Sequence, residues 1–494
     1  MKHPTELHAW KALDVLAETR FMAYRAPFST RSACRLSPRG IGITLDYSTQ
    51  HLDAETTNAL LNLADNSGLS AQINALFSGK GLNAGRGKPA LHTALRSPET
   101  KGLFVDGQDI LPGIHAARQK MREIADAIRA GRWKGVTGKP IRDVVHLGIG
   151  GSDLGPRFAI HALAEPMSPV RAHFVSDTDP EGFARVVAVI DPETTLFIVA
   201  SKSFTTAETL HNARKALAFA GGRHALEQHF IAITACCARA REWGFTNILP
   251  LWDWVGGRYS FCSAINLITA IVCGFEVFEA LLRGAHAMDR HFHEAPMLEN
   301  LPVMLALSGI WNINFLHHHT LLILTHAHAL QKFVPLVQQI DMESNGKSID
   351  LTGRPIHYAT GPIVWGGCGN AARHSYFQLL AQGTHHIHGE FLSVAAPELA
   401  EVNALCEHAL KVLGGGVPHS ENTEGFIPGG FPLNHLILRD RSPETLGALV
   451  ALYEHKVFVQ SVIWNINPFT QPGVESAKSV AALGGREELS VTGG

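Results

Sequence analysis

Val144-Val145-His146-Leu147-Gly148-Ile149-Gly150-Gly151-Ser152-Asp153-Leu154-Gly155-Pro156 is the stretch on which the fold turns. A short apolar run rich in Val stops at glycine and gives way to a helical pattern, which reads as strand, tight turn and helix. The same alternation recurs downstream. Apolar runs at Val144–Leu147, His173–Ser176, Thr195–Ala200, Phe230–Thr234 and Asn247–Leu251 are separated by helical segments. Strands that alternate with helices imply βαβ units and a parallel sheet covered on both faces. The alternation lapses at Val255–Arg283, which reads as helical throughout, and resumes with Leu321–Thr325, Phe391–Ala395 and His435–Leu438. The expected architecture is therefore α/β: a mostly helical region over 1–110, a first lobe over 111–285 and a second over 286–494. Helices are expected near Leu52–Ala64 and Gly113–Gly131. Another starts at Ser442-Pro443-Glu444, with an N-cap, an N1 proline and a first-turn acid, and runs to Trp464.

Composition narrows the class. With 494 residues, 46% hydrophobic and only 17% charged, the chain holds roughly two or three domains with full cores. A formal charge of −2 provides no basic field for nucleic acid or an acidic membrane. Seven scattered cysteines without a C-x-x-C pair read as reduced thiols. The first twenty residues have no signal-peptide core, and Phe261–Phe275 falls short of the ~20 residues that span a bilayer. The expectation is a soluble cytoplasmic protein.

Three glycine- or hydroxyl-rich loops could carry chemistry. In Gly148–Pro156, Asp153 and Gly155-Pro156 break the dinucleotide and P-loop signatures, and Leu154 breaks the esterase elbow. The turn can serve helix–strand packing as well as ligand contact; Gly151 and Ser152 are its better ligand candidates. Ser201-Lys202-Ser203-Phe204-Thr205-Thr206-Ala207-Glu208-Thr209 follows a strand, and Thr205 with Glu208 has capping-box spacing. With Thr205 as the cap, Ser201, Lys202, Ser203 and Thr206 are left around a helix N-terminus, a set suited to a phosphate dianion. The absence of nucleotide glycines points to a small phosphorylated metabolite. Gly256-Gly257-Arg258 permits close backbone approach beside a guanidinium, whose alternative use is a salt bridge between domains.

Among 28 histidines, the His317-His318-His319 run lacks a nearby acidic ligand and an H-E-x-x-H pattern, so no metal is expected. His374 follows a Gly-rich loop at Gly366–Gly369 and is read as opening a helix. A helix N-terminus favours neutral imidazole, although a capping or core role competes. Asp341-Met342-Glu343-Ser344-Asn345-Gly346-Lys347 closes an apolar helical pattern with turn residues that tolerate positive φ. Alone, Glu343 there is a solvated helix end. Pro472 suggests one more helix start, placing Lys478 two turns in.

Taken together, Gly148–Pro156, Ser201–Thr209, Gly256–Ser260, Met342–Lys347 and Ala451–Lys478 closely resemble the glucose-6-phosphate isomerase (phosphoglucose isomerase) family, in family order from about residue 140 onward. The resemblance implies two α/β/α sandwich lobes of the sugar-isomerase (SIS) type with parallel-rich sheets and additional helices. It also implies no metal or organic cofactor, and a homodimer with shared active sites. The implied reaction is reversible aldose–ketose isomerisation of glucose 6-phosphate and fructose 6-phosphate through ring opening and a cis-enediolate. By the match, Glu343 is the base, and His374 assists ring opening from the partner subunit with Lys478 at the ring oxygen. Arg258 stabilises the enediolate, and Ser201, Lys202, Ser203 and Thr206 hold phosphate. Gly151 and Ser152, with Gln339 and Gln471, contact the sugar.

The sequence departs from the family in places. The loop before the histidine, usually Gly-Thr-Asn-Gly-Gln-His, reads Gly369-Asn370-Ala371-Ala372-Arg373-His374. Pro-Gly-Asn-Arg-Pro-Ser becomes Pro428-Gly429-Gly430-Phe431-Pro432-Leu433, and Asn465, Thr470 and Pro472 replace Asp, Asp and Trp. These changes bear on loop packing, the dimer contact and substrate preference. A different class, a silent sugar-phosphate-binding regulator, would require an appendage for DNA or a partner, and none is evident. An isomerase of another hexose 6-phosphate is the remaining alternative.

Overall fold

A computed structural model describes residues 3–20, 34–79, 89–417 and 423–477. The first sheet runs in the order Arg171–Val175, Asp143–Leu147, Thr195–Ala200, Phe230–Thr234, Ile248–Pro250, parallel throughout. Asp143–Leu147, Thr195–Ala200 and Phe230–Thr234 are buried at every position, which is why they read as continuous apolar runs. The order has a consequence for ligand binding. From Asp143–Leu147 the chain crosses outward to Arg171–Val175, then returns on the other side as Thr195–Ala200. The crevice between the carboxyl ends of Asp143–Leu147 and Thr195–Ala200 is a topological switch point, where open α/β sheets bind ligands.

The second sheet has the order Arg35–Leu36, Ile43–Thr49, Leu433–Leu438, Ile387–Val394, Thr320–Thr325, Ile363–Cys368. The last four strands are mutually parallel; the two from the N-terminal region run antiparallel at one edge. Three of these strands depart from the sequence reading, the two-residue Arg35–Leu36 among them. Ile43–Thr49 belongs to the sheet of the second lobe, where the sequence suggests only a helical layer over 1–110. Ile363–Cys368 pairs with Thr320–Thr325, although Gly366–Gly369 reads as loop. Gly366 has φ 130°, and a Cβ there would meet the Ile323 carbonyl oxygen at 2.1 Å. The glycines thus mark a close approach of neighbouring backbones within a strand.

Val255–Arg283 is not one helical stretch. Short turns at Gly257–Tyr259 and Ala264–Asn266 precede a helix at Leu267–Cys273. Gly274, at φ 106°, then breaks the chain before the helix Phe275–Glu294. That helix packs along Pro443–Ile463, whose N-cap Ser442 accepts from the Thr445 amide as the sequence indicates. Among the described residues, Pro443–Ile463 is the one helix long and apolar enough to cross a membrane, and it is wholly buried inside the fold. Its residues belong to a core that both lobes share, while each sheet covers a smaller cluster on its outer face. All seven cysteines are free thiols.

Candidate active site

At the switch point, the loops after Leu147 and Ala200 line a cleft of about 690 Å³ with the loop that follows Pro250. Gly151, Ser152, Ser201, Lys202, Ser203, Thr206, Gly256, Gly257 and Gln471 all face it. Gly151 presses against Gly257 so closely that a Cβ would sit 2.1 Å from the Gly257 oxygen. Side chains at that point would push the two loops apart. Asp153, which spoils the nucleotide motif, is buried and takes a bidentate pair of hydrogen bonds from Arg157.

The hydroxyl loop is built differently from its sequence reading. Thr206, not Thr205, is the N-cap of Ala207–Phe219, and its side chain does not cap. Its Oγ1 lies 3.0 Å from Ser201 Oγ, while Thr205 Oγ1 lies 2.7 Å from Ser203 Oγ. The hydroxyls therefore pair with one another along the cleft, so that in each pair one gives its proton to its neighbour and the other keeps its own to donate outward. Lys202 Nζ donates to the carbonyls of Asp253 at 3.0 Å and Val255 at 2.7 Å, which ties the cation to the cleft wall. The turn rests on Phe204, a non-glycine residue at φ 51°. Its buried ring packs edge-on against Trp243 and Phe245, and this packing holds the unfavourable backbone in place. Thr209, one turn into the helix, lines the same cleft with a buried hydroxyl that has no hydrogen-bond partner. Motif spacing alone assigns Thr209 no role.

Glu343 lies in the last turn of the helix Phe333–Asn345, and Gly346 beyond it has φ −71°, so the chain leaves without the left-handed turn expected. Its half-buried carboxylate accepts from Gln339 Nε2 at 2.9 Å and lies 3.6 Å from Arg258 Nη1. Gln339 also reaches the Gly150 turn, with its Nε2 3.0 Å from where a Gly150 Cβ would be. Arg258 is buried, and its 3.6 Å ion pair with Glu343 does join the two lobes, as the alternative reading has it, while its other donors are taken up by neutral groups. Nε donates to Ser344 Oγ at 2.6 Å, Nη1 to Gln471 Oε1 at 3.0 Å, and Nη2 to the Pro468 and Thr470 carbonyls. Lys347 Nζ donates to the carbonyls of Glu343 and Ser344 at 2.7 and 2.6 Å, capping the helix. Burial, then the Arg258 charge, brings this amine down to about 7, against the pull of Glu343. Burial pushes the neighbouring Tyr259 phenol up to about 12.

Glu343 opens into a second chamber of about 590 Å³ that shares Gln471 with the first. The hydroxyl loop lines one chamber and the carboxylate the other, with Arg258 bonded to the glutamine between them. His374 stands apart. It is exposed, lines neither chamber, and closes the short helix Gly369–Arg373 instead of opening one. The helix-start argument for a neutral imidazole therefore does not apply. Lys478 lies outside the described residues. Among those described, no group of three His, Cys, Asp or Glu side chains is arranged to hold a metal ion.

The sequence profile of the phosphoglucose isomerase family matches residues 46–413 and 417–489. The chain belongs to that family. A glucose-6-phosphate isomerase of Legionella pneumophila (strain Lens) is 53% identical over 489 residues, covering 97% of each chain. Glucose-6-phosphate isomerase 1 of Chromohalobacter salexigens is 42% identical, covering 96% of this chain and 89% of its own. The crystal structure of a glucose-6-phosphate isomerase from Chlamydia trachomatis superposes with a TM-score of 0.88 at 30% identity, over 98% of this chain and 96% of the other. A hypothetical protein of Thermus thermophilus, 24% identical with a TM-score of 0.66 over 89% of this chain and 99% of its own, shares the fold. The family's two parallel-rich α/β lobes are those described above.

Proposed function

We propose that this chain interconverts D-glucose 6-phosphate and D-fructose 6-phosphate, an isomerisation that serves in both glycolysis and gluconeogenesis. The observation that carries the reading is a pair of adjoining chambers that share Gln471. A hydroxyl-lined loop at a switch point suits a phosphate, and a carboxylate 3.6 Å from a buried guanidinium lies one glutamine away. Moving a proton between C2 and C1 of an open-chain sugar requires one base on one face, and Glu343 fills that role. The carboxylate takes the C2 proton while the C1 carbonyl electrons shift onto O1; the O2 hydroxyl proton passes to O1, and the carboxylic acid then delivers its proton to C1 as the C2 carbonyl forms. Arg258 faces the charge that develops on the enediolate oxygens, a contribution of roughly 3–4 kcal/mol for a single donor in other enzymes. Ser201, Lys202, Ser203 and Thr206 hold the phosphate; Gly151, Ser152, Gln339 and Gln471 orient the sugar. Purified protein given glucose 6-phosphate should form fructose 6-phosphate equally well with and without EDTA, and faster than it converts mannose 6-phosphate. Saturable binding without conversion would instead identify a regulator.

The second chamber suggests how the site is completed. Met342, Ile349, Leu351 and Val474 on its walls are exposed apolar side chains, the kind of surface that a second copy covers. We read the protein as a homodimer in which His374 of the partner subunit assists ring opening, with Lys478 at the ring oxygen. Mixing His374→Ala and Glu343→Gln subunits under exchange conditions then restores activity that neither variant has alone, because one site per heterodimer is intact. No restoration would place His374 in its own subunit's site. The seven free thiols support a reducing, cytoplasmic setting.

A further inference from the structure

An arginine beside a carboxylate in a partly dehydrated pocket ordinarily closes a bidentate pair with it. Such a pair would hold Glu343 in its ionised form and weaken it as a base. The pair does not close here: Arg258 Nη1 and Glu343 Oε1 stay 3.6 Å apart. The other donors of the guanidinium explain the gap. Nε is fixed on Ser344 Oγ at 2.6 Å, Nη2 on the carbonyls of Pro468 and Thr470, and Nη1 on Gln471 Oε1. Ser344 is itself fully buried and lies 2.9 Å from the hydroxyl of Tyr259, whose ring stacks on His92 at 4.7 Å. Ser344 follows Glu343 on the same helical turn, so the helix presents the carboxylate outward and the hydroxyl inward to the arginine.

We propose that Ser344 and Tyr259 form a strut that holds Arg258 off Glu343, leaving the guanidinium to the enediolate and the carboxylate to the proton. They are positioning residues: neither needs to touch substrate. The inference rests on Glu343 being the base. The other ionisable groups around the pair are Lys347, capping the helix from below, Tyr259 and His92 behind the arginine, and Glu475, which accepts from Gln471.

Ser344→Ala releases Nε, and the guanidinium turns onto the carboxylate. The acid limb of the kcat/KM profile then moves to lower pH by about one unit, kcat falls about tenfold at neutral pH, and KM stays within about twofold. Tyr259→Phe keeps Ser344 on Nε and gives a smaller shift in the same direction; it also serves if Ser344→Ala folds poorly. Ser344→Thr retains the hydroxyl and returns the limb toward its native position. A purely structural role would lower melting temperature and activity together and leave the limb in place, which overturns the proposal. Glu343→Gln, measured alongside, separates the two readings. If it abolishes turnover while Ser344→Ala leaves the limb unmoved, the base assignment stands and the strut fails. If it keeps turnover and an acid limb, the base assignment itself is wrong.

Discussion

Glu343→Gln lowers kcat for isomerisation by about a thousandfold and leaves affinity for a hexose 6-phosphate within a few-fold. The change is nearly isosteric, and the site is arranged to tolerate it. The Glu343 side chain is 22% exposed at the chamber wall, so an amide there is neither crushed nor stripped of water. Gln339 Nε2, now on the carboxylate at 2.9 Å, can donate to the amide oxygen instead. The Ser201–Thr206 loop begins at a different strand and is held by its own hydroxyl pairs and the Phe204 ring. Binding and proton transfer should therefore separate cleanly. Glu343→Asp retains a base but withdraws it by a methylene, and its kcat should fall between the other two. Single-turnover exchange of the C2 proton into solvent gives an independent readout, expected to vanish in Glu343→Gln. Retention of near-normal turnover and exchange would remove Glu343 from the mechanism.

The parallel strands can be read from the sequence because burial on both faces makes them unbroken apolar runs, as at Thr195–Ala200. Ile43–Thr49 escapes notice for the opposite reason. It is an antiparallel strand near the sheet edge, carrying Asp46 and Ser48 between its apolar residues, and nothing local assigns it to a sheet whose other strands lie far along the chain. Ile363–Cys368 is hidden by glycines that a neighbouring backbone requires. The site divides in the same way. Residue types single out the Ser201–Thr206 loop, and only the family resemblance adds Arg258 and Glu343; the fold brings them to adjoining chambers. Their supports cannot be read. Ser344 as partner of Arg258, Phe204 as anchor of the loop and Thr209 as an unpartnered hydroxyl depend on contacts between distant segments. His374 is misplaced because the glycines before it look like the lead-in to a helix. The helix instead starts at Gly369, packed where a Cβ would meet His326 at 2.2 Å, and His374 caps its far end.

The buried histidines set a second large effect, on stability. Six are held neutral in the fold. Burial, helped by His386 and His51, brings His318 down to about 3; burial and His435 bring His326 to about 4; burial brings His435 and His291 to about 4. Burial also holds His92, beside Arg96 and His455, and His388, beside His318 and Lys456, well below the usual range. A depressed histidine is neutral in the folded chain but protonates near 6.5 once unfolded. Its contribution is therefore present above 6.5 and lost as pH falls toward the folded value. Each loses about 2 kcal/mol between pH 7.5 and 5, or about 12 kcal/mol for the six. Two buried carboxyls oppose this. Burial raises Asp341 to about 6 and Glu454 to about 7, despite the nearby Lys456 and Arg96. These groups favour the folded state as pH falls through those values and return about 4 kcal/mol together by pH 5. A net loss of roughly 8 kcal/mol remains, comparable to the whole stability of a typical domain. Urea midpoints at fixed protein concentration and ionic strength should thus change little from pH 8 to 7 and drop steeply between 6.5 and 5. The slope there should correspond to about four protons taken up on unfolding. It should flatten below pH 4, where the folded-state histidines titrate as well. His318→Asn, which removes one of the six titrations, should shallow that slope by about one proton. A midpoint that stays level down to pH 5 would mean that these imidazoles reach water or a partner in the folded chain.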